Sequence, residues 1–227
     1  MCLILVAWQA HAKIPLIVAA NRDEFHARPA APAGFWQDHP DILAGRDLEA
    51  RGTWLGICRR GRFAAVTNFR GGRNPDAAES RGGLVTRFLL NSQDPESFVS
   101  ELSSRKDSYS GFNLLVADGS ALWWLSNRDG GPRRLDPGIH ALGNLLLDTP
   151  EVSVPKAQFA SSIASGPSIE PLFGVLAAAK IVAPEYGTRC SSVLLARSDG
   201  RTDFAERPFD PAGEDAPTLR YELRRSG

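Results

Sequence analysis

The sequence predicts an α+β protein in which two antiparallel sheets lie between helical layers. Three observations predict it. Short apolar, β-branched-rich runs come in pairs joined by hairpin-length connections, two helical blocks separate three strand blocks, and the strand-then-helix alternation of a parallel sheet is absent. Two stacked sheets with a helical layer on each outer face use every block, which makes a four-layer αββα sandwich. With 43% hydrophobic and 23% charged residues in 227, the composition is that of a globular chain able to bury a core, not of a disordered one.

Leu3–Trp8 and Leu16–Ala20 read as a hairpin of buried strands across the polar stretch 9–15, the second ending at Asn21-Arg22-Asp23-Glu24. The proline and glycine density of 28–34 predicts an irregular loop. Thr53–Cys58 and Arg62–Asn68 form the next pair, and 71–75 must be loop. Leu84–Leu90 and Pro95–Leu102 suit helices, with Ser92 to Asp94 supplying cap residues before a helix-starting proline. Strands resume at Phe112–Ala117, Ala121–Ser126 and Ile139–Leu142. Lys156–Ile163 and Ile169–Ile181 read as helices, and Ser192–Ala196, Thr202–Glu206 and Leu219–Leu223 as closing strands.

Twenty-six basic residues balance twenty-six acidic ones, so no global field draws the chain to nucleic acid or an anionic membrane. The apolar run Cys2–Trp8 is too short to cross a bilayer and lacks the flanks of a signal peptide, so no transmembrane segment is expected and the cytosol is the expected location. Cys2, Cys58 and Cys190 lie far apart with no Cys-x-x-Cys spacing, which predicts neither a metal site nor a redox dithiol. Cys58, inside an apolar stretch, reads as a small buried hydrophobe.

Cys2 is a separate case. Removal of Met1 would expose a free α-amine on the residue that carries the thiol, and such an amine, titrating at about 7.7 to 8.0, is a usable base near neutrality. The polar cluster after the second strand lies about one strand length away, where Asp23 would orient the amine and Arg22 would pair with Asp23 or with a substrate carboxylate. By position alone Cys2 reads equally as a buried residue opening a core strand, and Asn21–Glu24 as a solvated turn or a structural ion pair.

Met1-Cys2, Ala19-Ala20-Asn21-Arg22-Asp23-Glu24-Phe25 and Arg28-Pro29 resemble the signature of the NRDE family, the proteins related to transport and Golgi organisation protein two. The likeness continues through Ala44–Asp47, Gly52–Ile57, Val66–Arg70, Arg81–Val85, Gly111–Leu114, Gly143-Asn144, Asp148-Thr149-Pro150 with Lys156, and Tyr186–Arg189, in order along nearly the whole chain. It implies one domain over residues 1–227 with an N-terminal-nucleophile hydrolase fold similar to that of choloylglycine hydrolases and penicillin V acylases. It further implies Cys2 as nucleophile, Asp23 near its amine, Asn68 and Asn144 near the oxyanion, and Arg189 as the late arginine. Taken singly, Asn68 and Asn144 read as strand-end turn residues and Arg189 as a salt-bridge partner. Aligning Asp23 puts Ala20 where the acylases carry an arginine; Arg22 lies two positions on, facing the same side of a strand with different geometry.

Three functions follow from the resemblance. One is hydrolysis of an amide, ester or thioester by Cys2 without a cofactor. Another is carriage of a small amphipathic ligand, haem or acyl-coenzyme A, as in haem trafficking. The third is scaffolding in the secretory pathway and Golgi organisation. For haem the available ligands are Cys2, His11, His26, His39 and His140, with no covalent attachment motif. For an acyl compound, Arg22, Arg46, Arg51 and Arg70 would meet phosphates while Phe35, Trp36 and Trp54 line an apolar cleft. The ligand-binding set so expected is Asn21, Arg22, Asp23, Glu24, Arg46, Trp54 and Arg70.

Overall fold

The computed structural model describes residues 2–77 and 79–225, which divide into two compact units. One comprises the chain up to Arg28 with Pro137–Gly143 and Leu147–Arg225; the other comprises Pro29–Asp136 with Asn144–Leu146. In chain order the strands β1 (Leu3–Trp8), β2 (Leu16–Phe25), β3 (Ala30–Phe35), β4 (Ile42–Asp47), β5 (Leu55–Cys58) and β6 (Phe63–Asn68) precede the helices α1 (Arg81–Leu90) and α2 (Pro95–Ser103). Next come β7 (Phe112–Ala117), β8 (Leu122–Ser126), β9 (Arg133–Arg134) and β10 (Gly138–Leu142), then α3 (Ser153–Ala164) and α4 (Ile169–Ala177). The chain closes on β11 (Tyr186–Ala196), β12 (Arg201–Pro208) and β13 (Leu219–Arg224).

The first unit holds a six-stranded sheet in the order β10-β1-β2-β11-β12-β13, every pair antiparallel. Every residue of β1 is buried, as its unbroken apolar run requires. Leu3, Leu5, Ala19, Val193 and Ala205 from one face of the sheet pack with Phe159 and Ile163 of α3 and Leu172, Phe173 and Leu176 of α4. In the second unit a seven-stranded antiparallel sheet, β3-β4-β5-β6-β7-β8-β9, packs with Leu84, Val85, Phe88 and Leu89 of α1 and Phe98, Val99 and Leu102 of α2. Helix α2 starts as its sequence predicts, with Asp94 accepting from Ser97 N and Pro95 in the first turn. Helix α1 is held at its other end: Arg60 donates to the Leu89 and Leu90 carbonyls and Arg62 to that of Phe88. Cationic donors there satisfy the orphan carbonyls and oppose the helix dipole. The α+β class with two antiparallel sheets is therefore as expected.

Three local expectations need correction, and one strand had no expectation. Strand β2 does not end at Asn21 but runs to Phe25, because β11 also starts early, at Tyr186, and pairs with it along its whole length. Residues 30–35 are not loop but the edge strand β3; Pro32 falls where the register with β4 shifts, and an edge strand has no second neighbour needing its missing N–H. Helix α4 stops at Ala177, not Ile181, since Ile181 N is taken by Thr188 Oγ1 and Val182 bridges to Gly187. Strand β9 had no sequence signal beyond two exposed arginines.

Asp148 staples β10 to α3. Its carboxylate accepts from Ala141 N and Lys156 Nζ, both at 2.8 Å, and lies 3.3 Å from His140 Nδ1. Partial burial opposes its charge, but the bonds to His140, Lys156 and the Ala141 amide prevail and hold its pKa down at about 2, against an ordinary 3.8. A depressed carboxylate stabilises the fold above its unfolded pKa and stops doing so as pH falls through its folded pKa. Asp148→Asn should therefore cost about 1–2 kcal/mol in urea unfolding at neutral pH, and the gap from the wild-type protein should close between about pH 4 and 2. A gap that persists at pH 2 would contradict this role.

Candidate functional site

The first unit assembles the N-terminal part of the predicted site at the joined ends of β1, β2 and β11. Leu3 pairs with Asn21, so one step outward Cys2 stands opposite the Arg22 region. Its half-buried thiol lies in a backbone cradle: Sγ donates to the Asp23 carbonyl and accepts from the Asp23 N–H, both at 3.4 Å. The three polar residues of β2 are not a solvated turn. Asn21, Arg22 and Asp23 are only 2%, 6% and 3% exposed, and buried polar groups of this kind must find partners within the fold.

Those partners come from β11 and α4. Asn21 donates to the Leu176 carbonyl and accepts from Ser191 Oγ at 2.6 Å, so its amide is spent on joining β2, β11 and α4. Thr188 Oγ1 donates to Asp23 Oδ1 at 2.7 Å, fixing the carboxylate beside the Cys2 strand end. Arg22 pairs with Cys190 in the ladder, and its positive charge acts on that thiol against the buried Glu206. Glu24, at the less buried end, accepts from Phe25 N and approaches Arg28 at 4.0 Å.

Arg189 is the extra residue of a bulge, since the β2–β11 register shifts between Thr188 and Cys190. Its guanidinium donates to the carbonyls of Phe25 and His26, both at 3.1 Å, so it secures the exit of β2 through backbone acceptors and not through a carboxylate. Thr188 and Tyr186 were not singled out from sequence, though both lie in the block that ends at Arg189. Burial, with the negative charge that Cys2, Asp23 and Glu24 place nearby, keeps the Tyr186 hydroxyl protonated well above its ordinary range. A period-two reading of Tyr186 and Thr188 on an extended β11 is the signal that would have found them.

The remaining predicted residues belong to the second unit. Asn144 Nδ2 donates to the Asn68 carbonyl at 2.7 Å, and Asn144 O accepts from Arg70 N at the same distance, so Asn68, Arg70 and Asn144 form one cluster. Arg46 makes a two-pronged pair with Asp38, 2.6 Å per contact, and stacks over the Trp36 ring at 4.2 Å. The Trp54 ring lies on the Gly45 backbone, in the space a Cβ would need. Among the described residues no three His, Cys, Asp or Glu side chains gather as a metal-ligand set.

The chemistry of Cys2 follows from its surroundings. Burial first, then the Asp23 carboxylate, push the thiol up to about 11, only partly offset by the Asp23 N–H. As it stands the sulfur is a thiol near neutrality, and only a base placed next to it makes it a nucleophile. Asp23→Asn removes the neighbouring negative charge. Alkylation of Cys2 by iodoacetamide, mapped by peptide mass, should then reach its half-maximal rate at lower pH than in the wild-type protein. An unchanged or higher midpoint would contradict the coupling.

Comparison with known proteins gives the family and the fold. Residues 1–184 match the family described as Transport and Golgi organisation 2. The bovine Transport and Golgi organization protein 2 homolog is 34% identical, covering 92% of this chain and 93% of its own. The human homolog is also 34% identical, over 85% and 86%. Among solved structures, the C2A mutant of conjugated bile acid hydrolase from Clostridium perfringens has a TM-score of 0.54 at 9% identity, covering 100% of this chain and 98% of that one. An N-acylethanolamine-hydrolyzing acid amidase ortholog from Caenorhabditis elegans has a TM-score of 0.50 at 13% identity, over 86% and 92%. Both likenesses bear on fold alone, and that fold is the N-terminal-nucleophile hydrolase type. The chain belongs to the Transport and Golgi organisation 2 family.

Proposed function

We propose that this protein is a hydrolase of an amide, ester or thioester in a small amphipathic acyl compound, with Cys2 as nucleophile once Met1 has been removed. One observation carries the reading: the Cys2 sulfur is held against the Asp23 backbone at the head of β1, beside a buried carboxylate oriented by Thr188. The Cys2 α-amine takes the thiol proton, and Sγ attacks the carbonyl carbon, whose oxygen becomes an oxyanion. Collapse breaks the bond to the amine, alcohol or thiol leaving group, which receives the proton. Water activated by the same amine then cleaves the thioester, releasing the acid and restoring the thiol. No cofactor enters these steps.

In this reading Asp23 holds the amine, and an amide donor to the oxyanion is worth about 3–4 kcal/mol when well aimed. The family resemblance gives that role to Asn68 and Asn144, of which Asn144 now binds the Asn68 carbonyl. Arg22 takes the place of the arginine missing at Ala20, and Arg46 and Trp54 support the sites around them. Three free cysteines suit a reducing compartment, in keeping with a cytoplasmic location.

One observation favours a second reading. A thiol at about 11 with alanine at position 20 is poorly prepared for acyl transfer, which suits a carrier of an amphipathic ligand, acyl-coenzyme A or haem, in which Cys2 is structural. Haem would then be held without a built set of metal ligands. A panel of acyl amides, esters and thioesters separates the two. Hydrolysis predicts a burst with acyl-enzyme mass on Cys2, lost by about 10⁴-fold or more in Cys2→Ala. Carriage predicts no turnover and unchanged ligand affinity in Cys2→Ala.

A further inference from the structure

A groove of about 490 Å³ opens in the second unit between the turn that follows β4 and the outer side of α1. It contains none of the residues around Cys2, and of the arginines expected to meet an acyl-compound phosphate only Arg51 lines it. Its volume is in the range of small-molecule sites, and its two charged lining groups, Arg51 and Arg87, are both cationic. Neither has an ion-pair partner among the described residues; the Arg87 guanidinium lies over the Phe98 ring, 5.5 Å from its centroid, and its Nε, shielded from solvent, makes no hydrogen bond. Leu90, 43% exposed, and the side chain of Thr86 give the groove an apolar side.

The wall is rigid. Asp47 Oδ1 accepts from Glu49 N and Ala50 N, Asp47 N donates to Gly52 O, and Thr53 N donates to Gly82 O. Gly52 lies so close to the Gly82–Gly83 backbone that a Cβ there would collide with it. Two features of this wall bear on the groove. Arg51, inside the turn closed by Asp47 and Gly52, adopts φ +63°, a left-handed conformation costly for a side chain of its kind, and lines the groove. Gly83 sits in the first turn of α1, where glycine weakens a helix, although a Cβ on it would meet nothing within 4 Å. Its missing side chain leaves the groove open.

We propose that this groove binds a small organic anion, with a phosphate or carboxylate head between Arg51 and Arg87 and an apolar group against Leu90. Guanidinium groups match either head in two-pronged geometry, and the apolar side selects an organic anion over a bare ion. The site is separate from any acyl transfer at Cys2.

Calorimetric titration of the full chain with phenyl phosphate and with benzoate tests it, with inorganic phosphate and phenol as controls. One of the two organic anions, whichever head is preferred, should bind saturably with one site per chain, and both controls should bind about tenfold or more weakly. Arg51→Ala, an exposed position, should weaken binding by about tenfold or more, and Gly83→Leu, which fills open space, should abolish it while Cys2 alkylation is unchanged. If Gly83→Leu does not fold, Arg87→Met replaces it with the same expectation. No binding by either organic anion, equal binding by inorganic phosphate, or indifference to Arg51→Ala overturns the proposal.

Discussion

The structure depends on burying the polar end of β2. A strand that carries Asn, Arg and Asp into the interior of a sheet needs partners for those groups, and the cost of an unmatched one is about 1–3 kcal/mol or more. Here Ser191 of β11 and the Leu176 carbonyl at the end of α4 match Asn21, and Thr188 of β11 matches Asp23 Oδ1. This explains why β11 is the longest strand and why α4 ends where it does. It also explains why a bulge at Arg189 is needed: the extra residue lets Thr188 face Asp23 while Arg189 turns out to hold the carbonyls beyond β2.

Cys2 inherits its environment from that arrangement. Because β2 continues past Leu3's partner, the residue before β1 is not left in solvent but meets the Asp23 peptide, whose N–H and carbonyl both engage the sulfur. The same carboxylate that would orient an α-amine raises the thiol. A chain with the amine blocked is therefore a protected thiol, and one with the amine free would have beside the sulfur a group that is a cation when protonated and a base when not. The polar end of β2 has opposite consequences in the two forms, and the processing of one residue decides between them.

Strand and helix blocks were legible because their apolar periodicity is local. Leu3–Trp8 and Phe112–Ala117 carry runs that no other element could bury so completely. The extension of β2 was not legible, since Asn-Arg-Asp-Glu has the propensities of a turn and only the distant β11 overrides them. Strand β3 was hidden for a similar reason: its proline and glycine suit a loop, and an edge position makes them tolerable. For the site, family motifs picked out Cys2 and Asp23, but the hydroxyl that orients Asp23 lay in a block where only the arginine drew notice. Asn21, expected to face a ligand, serves the fold because its partner, a helix-end carbonyl 155 residues away, cannot be read from spacing.

A self-activated nucleophile requires that the residue bearing that sulfur also bear the chain's free amino group. Intact-mass measurement of the purified protein, with sequencing of its first peptide, answers this directly. The account predicts a mass short by one methionine and a first residue of cysteine. A polypeptide that keeps its methionine, or whose cysteine nitrogen is acylated, would contradict a self-activated nucleophile at this position.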